Sequence, residues 1–171
     1  MHKNKLYIAI SLDGMIAKED DSLEWLEAAE GLGDNGYQAF YDSISSVVMG
    51  NRTYRKVMEM TDDFPYPDRP SYVLSRTQQE DPNVTFTSGS LKTLLPELQK
   101  KHNGDVWIVG GGELVKHCLE HQLIDEFQIA IIPVVLGSGI PLFPKGTAFT
   151  ELKLTKVEQF NQITMLHYMK K

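Results

Sequence analysis

Two stretches of this chain put glycine where an apolar run gives way to a helix-forming one: Val47-Val48-Met49-Gly50-Asn51-Arg52-Thr53-Tyr54 and Val106-Trp107-Ile108-Val109-Gly110-Gly111-Gly112-Glu113-Leu114. A strand-turn-helix junction leaves the first N–H groups of the helix without intrahelical partners, and the backbone dipoles there favour an anion. Glycine lets a phosphate approach the main chain closely. One such turn is explained by chain reversal alone, whereas two suit a ligand with several phosphates. Arg52 lies in the first junction, and Ser75-Arg76-Thr77 follows the apolar run at 71–74. A guanidinium beside hydroxyls satisfies a further phosphate through charge-assisted hydrogen bonds, which favours NADPH over NADH; two solvated surface arginines are the alternative.

Other chemistries fit less well. Neither turn is a Walker loop, and Val115 stands where a Rossmann fingerprint would place its third glycine. His117 and His121 share a helix face beside Cys118, but the order of residues is not a zincin motif and no third ligand is apparent, so no metal is expected. Trp25, Tyr37, Phe40 and Tyr41 recur at helical spacing and suit either a core or the wall of a pocket for a flat ring.

The elements that must hold these residues alternate between strand and helix. Strands are expected at 6–10, 46–49, 71–74, 84–87, 105–109 and 126–132, with 15–17 a short apolar return in the loop after the first, and helices at 37–43, 53–59, 91–103 and 113–121 plus a short one behind Ser22, with Ser22 and Ser90 as N-caps. Prolines at 65, 67 and 70 make 64–70 a surface connection, and 136–141 reads as a turn-rich loop. The pairs at 150–159 and 162–170 form a hairpin around Phe160-Asn161. The pattern predicts an α/β fold of three layers, α/β/α, with a mixed, mostly parallel central sheet and an antiparallel C-terminal hairpin.

The 171 residues suit one domain spanning 1–171, with 42% hydrophobic and 23% charged residues. A net charge of −6 argues against nucleic acid or an anionic membrane as the main partner. One cysteine forms no internal disulfide, no run is long enough to span a bilayer, and a cytoplasmic setting is expected.

The segments Ala9-Ile10-Ser11-Leu12-Asp13-Gly14-Met15-Ile16-Ala17, Met49-Gly50-Asn51-Arg52-Thr53-Tyr54, Val73-Leu74-Ser75-Arg76, Ile108-Val109-Gly110-Gly111-Gly112 and Pro133-Val134-Val135-Leu136-Gly137-Ser138-Gly139-Ile140-Pro141 occur in that order over nearly the whole chain. Together they resemble the dihydrofolate-reductase-like superfamily and, more closely, stand-alone relatives of the reductase domain of bifunctional riboflavin-biosynthesis deaminase-reductases. The resemblance implies an NADPH-dependent reductase of a small heterocycle, with 5-amino-6-(5-phosphoribosylamino)uracil as the leading substrate. Dihydrofolate reduction and a non-catalytic nucleotide-binding protein are the alternatives, and a homodimer is possible.

It also implies residue roles. Gly50, Asn51, Arg52 and Thr53 form the first cofactor turn; Ser75 and Arg76 flank the adenosine ribose and its phosphate. Gly110, Gly111, Gly112, Glu113 and Leu114 hold the pyrophosphate, while Ala9 and Ile16 flank the nicotinamide. Asp13 and Glu30 are the acidic catalytic candidates; Trp25 and Arg69 are assigned to substrate, Arg69 gripping an anionic tail. Two positions depart from the pattern: Asn51 stands where dihydrofolate reductases carry arginine, and Gly110 where riboflavin reductases carry a glutamate before the paired glycines.

Overall fold

The computed structural model describes all 171 residues. The chain runs β1 (Asn4–Ser11), β2 (Met15–Ala17), α1 (Glu24–Glu27), α2 (Tyr37–Asp42), β3 (Ile44–Gly50), α3 (Asn51–Met60), β4 (Ser71–Leu74), β5 (Thr85–Thr87) and α4 (Leu91–His102). It continues through β6 (Asp105–Gly110), α5 (Gly112–Glu120), β7 (Glu126–Ile132), β8 (Ile140–Pro141), β9 (Leu152–Phe160) and β10 (Ile163–Lys170). Eight strands form one sheet in the order β5-β4-β3-β6-β1-β7-β10-β9. Pairings from β5 across to β7 are parallel, and β7-β10 and β10-β9 are antiparallel.

Alternation along the central strands sorts side chains between two faces. Leu6, Val48, Val106 and Ile108 pack with Leu95 and Leu98 of α4 and with Val115 and Cys118 of α5. Val47, Met49 and Trp107 pack on the opposite face with Phe40 and Tyr41 of α2 and Tyr54 of α3. These two cores are the interfaces of an α/β/α sandwich, as the sequence predicts. A smaller cluster joins Trp25 to Ala130, Ile132, Ile163 and Met165 beside the hairpin.

Several local expectations change. Ser22 does not cap α1: the N-cap is Leu23, without a side-chain bond, and the Ser22 carbonyl instead accepts from Trp25 Nε1 at 3.2 Å. Ser90 does cap α4, accepting from Lys92 N at 3.2 Å. The turn-rich loop contains β8, which pairs with β2 in a second, two-stranded antiparallel sheet. Two residues of strand inside a Gly-Pro segment carry too little periodicity to be read from sequence. No helix is long and apolar enough to cross a membrane.

Candidate functional site

β3 and β6 lie side by side, with Met49 paired to Gly110, so the two glycine turns leave neighbouring strands at the same edge of the sheet. A Cβ placed on Gly50 would sit 3.8 Å from the Gly110 carbonyl oxygen and 4.0 Å from the Gly111 nitrogen. One placed on Gly111 would sit 3.4 Å from Thr53 Oγ1 and 3.5 Å from Ile16 Cδ1, which brings β2 to the same point. The N-cap positions of α3 and α5 are Gly50 and Gly111, and neither helix has a side-chain cap. Their first-turn amides are left for solvent or a ligand.

A cleft of about 710 Å³ opens over this junction. Ile8 and Ala9 of β1 with Val109 of β6 line it from the central sheet, and Gly50 to Thr53 and Gly111 to Leu114 line it from the two glycine turns. Leu23 and Leu26, flanking and within α1, face Val57 and Met60 of α3 across it, and Tyr66 and Trp107 form an aromatic wall with ring centroids 5.0 Å apart at 70°. Ligands of open α/β sheets sit outside the carboxyl ends of parallel strands, where this cleft lies. Its charged lining is Asp21, Arg52, Lys56 and Glu113. Arg52 Nη2 donates to both carboxylate oxygens of Asp21 at 3.0 and 3.2 Å, tying the loop after β2 to the start of α3.

The RibD C-terminal domain model matches residues 5–166. The chain belongs to the RibD C-terminal domain family. It is 46% identical to YwjB of Bacillus subtilis, an uncharacterised protein, over 98% of each chain. A crystal structure of a Shewanella sp. PV-4 protein assigned to riboflavin biosynthesis superposes with a TM-score of 0.90 at 32% identity, covering 99% of both chains. The Thermotoga maritima deaminase/5-amino-6-(5-phosphoribosylamino)uracil reductase shares the fold at TM-score 0.72 and 16% identity, with this chain spanning 57% of its length.

Of the positions assigned to cofactor by resemblance, this RibD C-terminal domain brings Ala9, Ile16, Gly50, Asn51, Arg52, Thr53, Gly111, Gly112, Glu113 and Leu114 to the cleft wall. Gly110 lies behind it, at φ +121°, with Ile8 Cδ1 3.4 Å from where its Cβ would be. The β6 side chains that face the cleft are Trp107 and Val109, so the departure at Gly110 concerns the backbone of the turn rather than the lining. Ser75 stands just outside. Gln79 Nε2 donates to Ser75 Oγ at 3.1 Å and to Asn51 Oδ1 at 3.4 Å, which links the end of β4 to the first turn. Arg76 is exposed beyond it.

The four positions assigned to catalysis and substrate lie elsewhere. Asp13 accepts from Ser11 Oγ at 2.6 Å, Leu136 N at 3.1 Å and Gly137 N at 2.8 Å, clasping the 133–139 loop. The Ser11 hydroxyl first, then these amides, hold its carboxyl down to about 2, so it is ionised at neutral pH and fastens a loop. Glu30 is exposed, and its carbonyl accepts from Gln162 N in the hairpin turn. Trp25 is buried against β7 and β10. Arg69 donates from Nε to the Ile44 carbonyl and from Nη2 to the Tyr41 carbonyl, and its guanidinium lies 4.6 Å from the Tyr41 ring centroid. Those contacts occupy it in the fold, away from the cleft.

The sequence reading missed Lys56, Val57, Met60 and Tyr66 as cleft residues. The first three follow Thr53 at helical spacing and could have been found once its turn was placed. Tyr66, within a proline-rich connection, carried no signal. His117 and His121 do have a third neighbouring group, Glu120; their ligand atoms lie within 4.8 Å of one another on the outer face of α5, while Cys118 points into the core. That cluster is separate from the cleft.

Proposed function

We propose that this protein binds NADPH across the two glycine turns and reduces a small substrate built on a planar heterocycle in the remainder of the cleft. The apposition of Gly50 and Gly111 beneath two uncapped helix starts carries this reading. The residues present fit the cofactor: open first-turn amides at both helices suit a pyrophosphate, and absent Cβ atoms keep the main chain approachable. We assign Ser75, linked through Gln79 to Asn51 of the first turn, and the exposed Arg76 to the adenosine ribose and its phosphate. Ala9 and Ile16 offer a short side chain and an apolar wall to the nicotinamide, which when bound supplies a hydride. The chain itself orients the rings and excludes water, so positioning dominates its contribution. Membership of the family and the reductase named among its structural neighbours support 5-amino-6-(5-phosphoribosylamino)uracil or a close analogue as acceptor.

NADPH and NADH titrations followed by nicotinamide fluorescence, with oxidation monitored in the presence of that uracil or of dihydrofolate, test the reading. Tight NADPH binding and turnover of an acceptor are expected. Arg76→Ala should weaken NADPH roughly tenfold while leaving NADH unchanged, as removal of a charge-assisted phosphate contact requires. Failure to bind NADPH overturns the proposal, and binding without turnover makes the protein a nucleotide-binding module.

A further inference from the structure

The inner wall of the cleft holds a buried tyrosine whose polar end the fold leaves without an assignment. Tyr66 is only 8% exposed, packs edge-on against Trp107 and Phe64, and lines the cleft. Its hydroxyl makes no hydrogen bond within the protein, yet is not sealed from the cleft. The contrast with other buried tyrosines is direct. Tyr41 donates to Asp68 at 2.5 Å, Tyr54 donates to Asp81 at 2.6 Å, and Tyr72 bonds His102 at 2.9 Å. Open to the cleft and unclaimed by the protein, the Tyr66 hydroxyl is left to donate to water or to whatever ligand displaces that water.

The rest of the wall narrows what that something is. Trp107 Nε1 is taken by the Tyr7 carbonyl at 3.2 Å. The hydroxyl of Tyr7 feels Asp34 and Glu158, neither of which lines the cleft. The lining carboxylates are Asp21, held by Arg52, and Glu113, in the first turn of α5. An acceptor ring therefore meets an aromatic surface at this wall with two tyrosine hydroxyls that have no partner in the protein, Tyr7 and the more deeply buried Tyr66, of which Tyr66 packs directly on Trp107. Burial pushes the Tyr66 hydroxyl above the ordinary tyrosine range, so it stays protonated and donates.

We infer that Tyr66 is a specificity-determining residue, whose hydroxyl donates a hydrogen bond to a ring carbonyl of the acceptor and fixes its orientation against Trp107. This rests on the reductase reading above and assigns a substrate contact to a residue outside every glycine turn. A ring presenting carbonyl oxygen is favoured over one presenting only N–H groups, because a site built around one donor rejects partners that leave it unpaired.

The test compares wild type, Tyr66→Phe and, as a control outside the cleft, Tyr72→Phe. Each is assayed for NADPH affinity and for kcat and KM with 5-amino-6-(5-phosphoribosylamino)uracil, its 2-thio and 4-thio analogues, and dihydrofolate. Tyr66→Phe should lose roughly tenfold in kcat/KM for the best carbonyl acceptor while NADPH affinity stays within twofold. Replacing the contacted oxygen by sulfur should cost wild type several-fold and the variant nothing further, a coupling that a merely structural role would not produce. Equal kcat/KM in wild type and Tyr66→Phe, or an equal thio penalty in both, overturns the assignment of Tyr66 alone. No turnover of any acceptor by wild type overturns the reductase reading and this inference with it.

Discussion

Arg52 reaches back from the first turn of α3 to Asp21, with Nη2 3.0 Å from Oδ1, and Asp21 stands on the cleft wall at a left-handed φ of 66°. The pair spans the mouth of the cleft between the loop after β2 and the glycine turn after β3. An incoming phosphate competes with Asp21 for the same guanidinium. Asp21→Asn should therefore tighten NADPH several-fold at low ionic strength, with the gain shrinking in 0.5 M salt, because exposed pairs are weak and screened. Fluorescence titrations at two salt concentrations measure it, and equal affinity of both forms at low salt counts against a phosphate at Arg52.

Gly50 and Gly112 should separate under alanine substitution, although both belong to the glycine turns. A Cβ on Gly112 meets the Pro141 carbonyl oxygen at 2.5 Å, the Leu142 carbonyl oxygen at 3.3 Å and Pro144 Cγ at 3.2 Å. That backbone cannot yield without moving β8, so Gly112→Ala should cost about 1–3 kcal/mol in urea unfolding. At Gly50 the nearest atoms lie at 3.8 Å and φ is −74°. Gly50→Ala should leave stability within about 0.5 kcal/mol and instead weaken NADPH, by crowding the approach to the amides of α3.

Asp13 sets an acid limb to stability. Its carboxyl, lowered to about 2 by Ser11 and the Leu136 and Gly137 amides, titrates at about 4 when the chain unfolds. A depressed folded value means the contribution is complete above the unfolded value and is lost as pH falls from about 4 through 2. Urea midpoints of wild type should fall across that window, and Asp13→Asn should flatten the slope. At pH 7 the same variant should speed amide hydrogen exchange at Leu136 and Gly137 without altering the pH dependence of turnover. A shifted pH-rate profile would return Asp13 to catalysis.

Arg69→Ala should act on the fold. The guanidinium bonds the Ile44 and Tyr41 carbonyls and covers the Tyr41 ring, so its removal leaves two partly buried acceptors unpaired and should cost about 1–3 kcal/mol. KM for either acceptor should not change. An increase in acceptor KM with unchanged thermal stability would restore an anion-gripping role.

The fold and the glycine-lined end of the cleft were legible because glycine at a strand end states a backbone requirement. Gly50 and Gly111 could be placed from apolar runs alone, and the register of β3 against β6 then brought them together. The substrate half was not legible, since its residues arrive singly from unrelated segments. Leu23 and Leu26 face the cleft while Trp25 between them faces the core, a division that a four-residue helix does not announce. Acidic residues drew attention by type, whereas the fold shows Asp13 bonded to a loop and Glu30 exposed, neither of them on the cleft lining. Type reports capacity, and only tertiary placement decides whether that capacity is free.

Trp25 also gives the C-terminal hairpin an unexpected duty. Its indole is wedged among Ala130, Ile132, Ile163 and Met165, and the Glu30 carbonyl is pinned by Gln162, so the segment bearing Leu23 and Leu26 rests on β10 as on an abutment. The hairpin thereby helps set where Leu23 and Leu26 stand, so a substitution such as Met165→Ala should be felt at a cleft wall to which β9 and β10 contribute no side chain of their own.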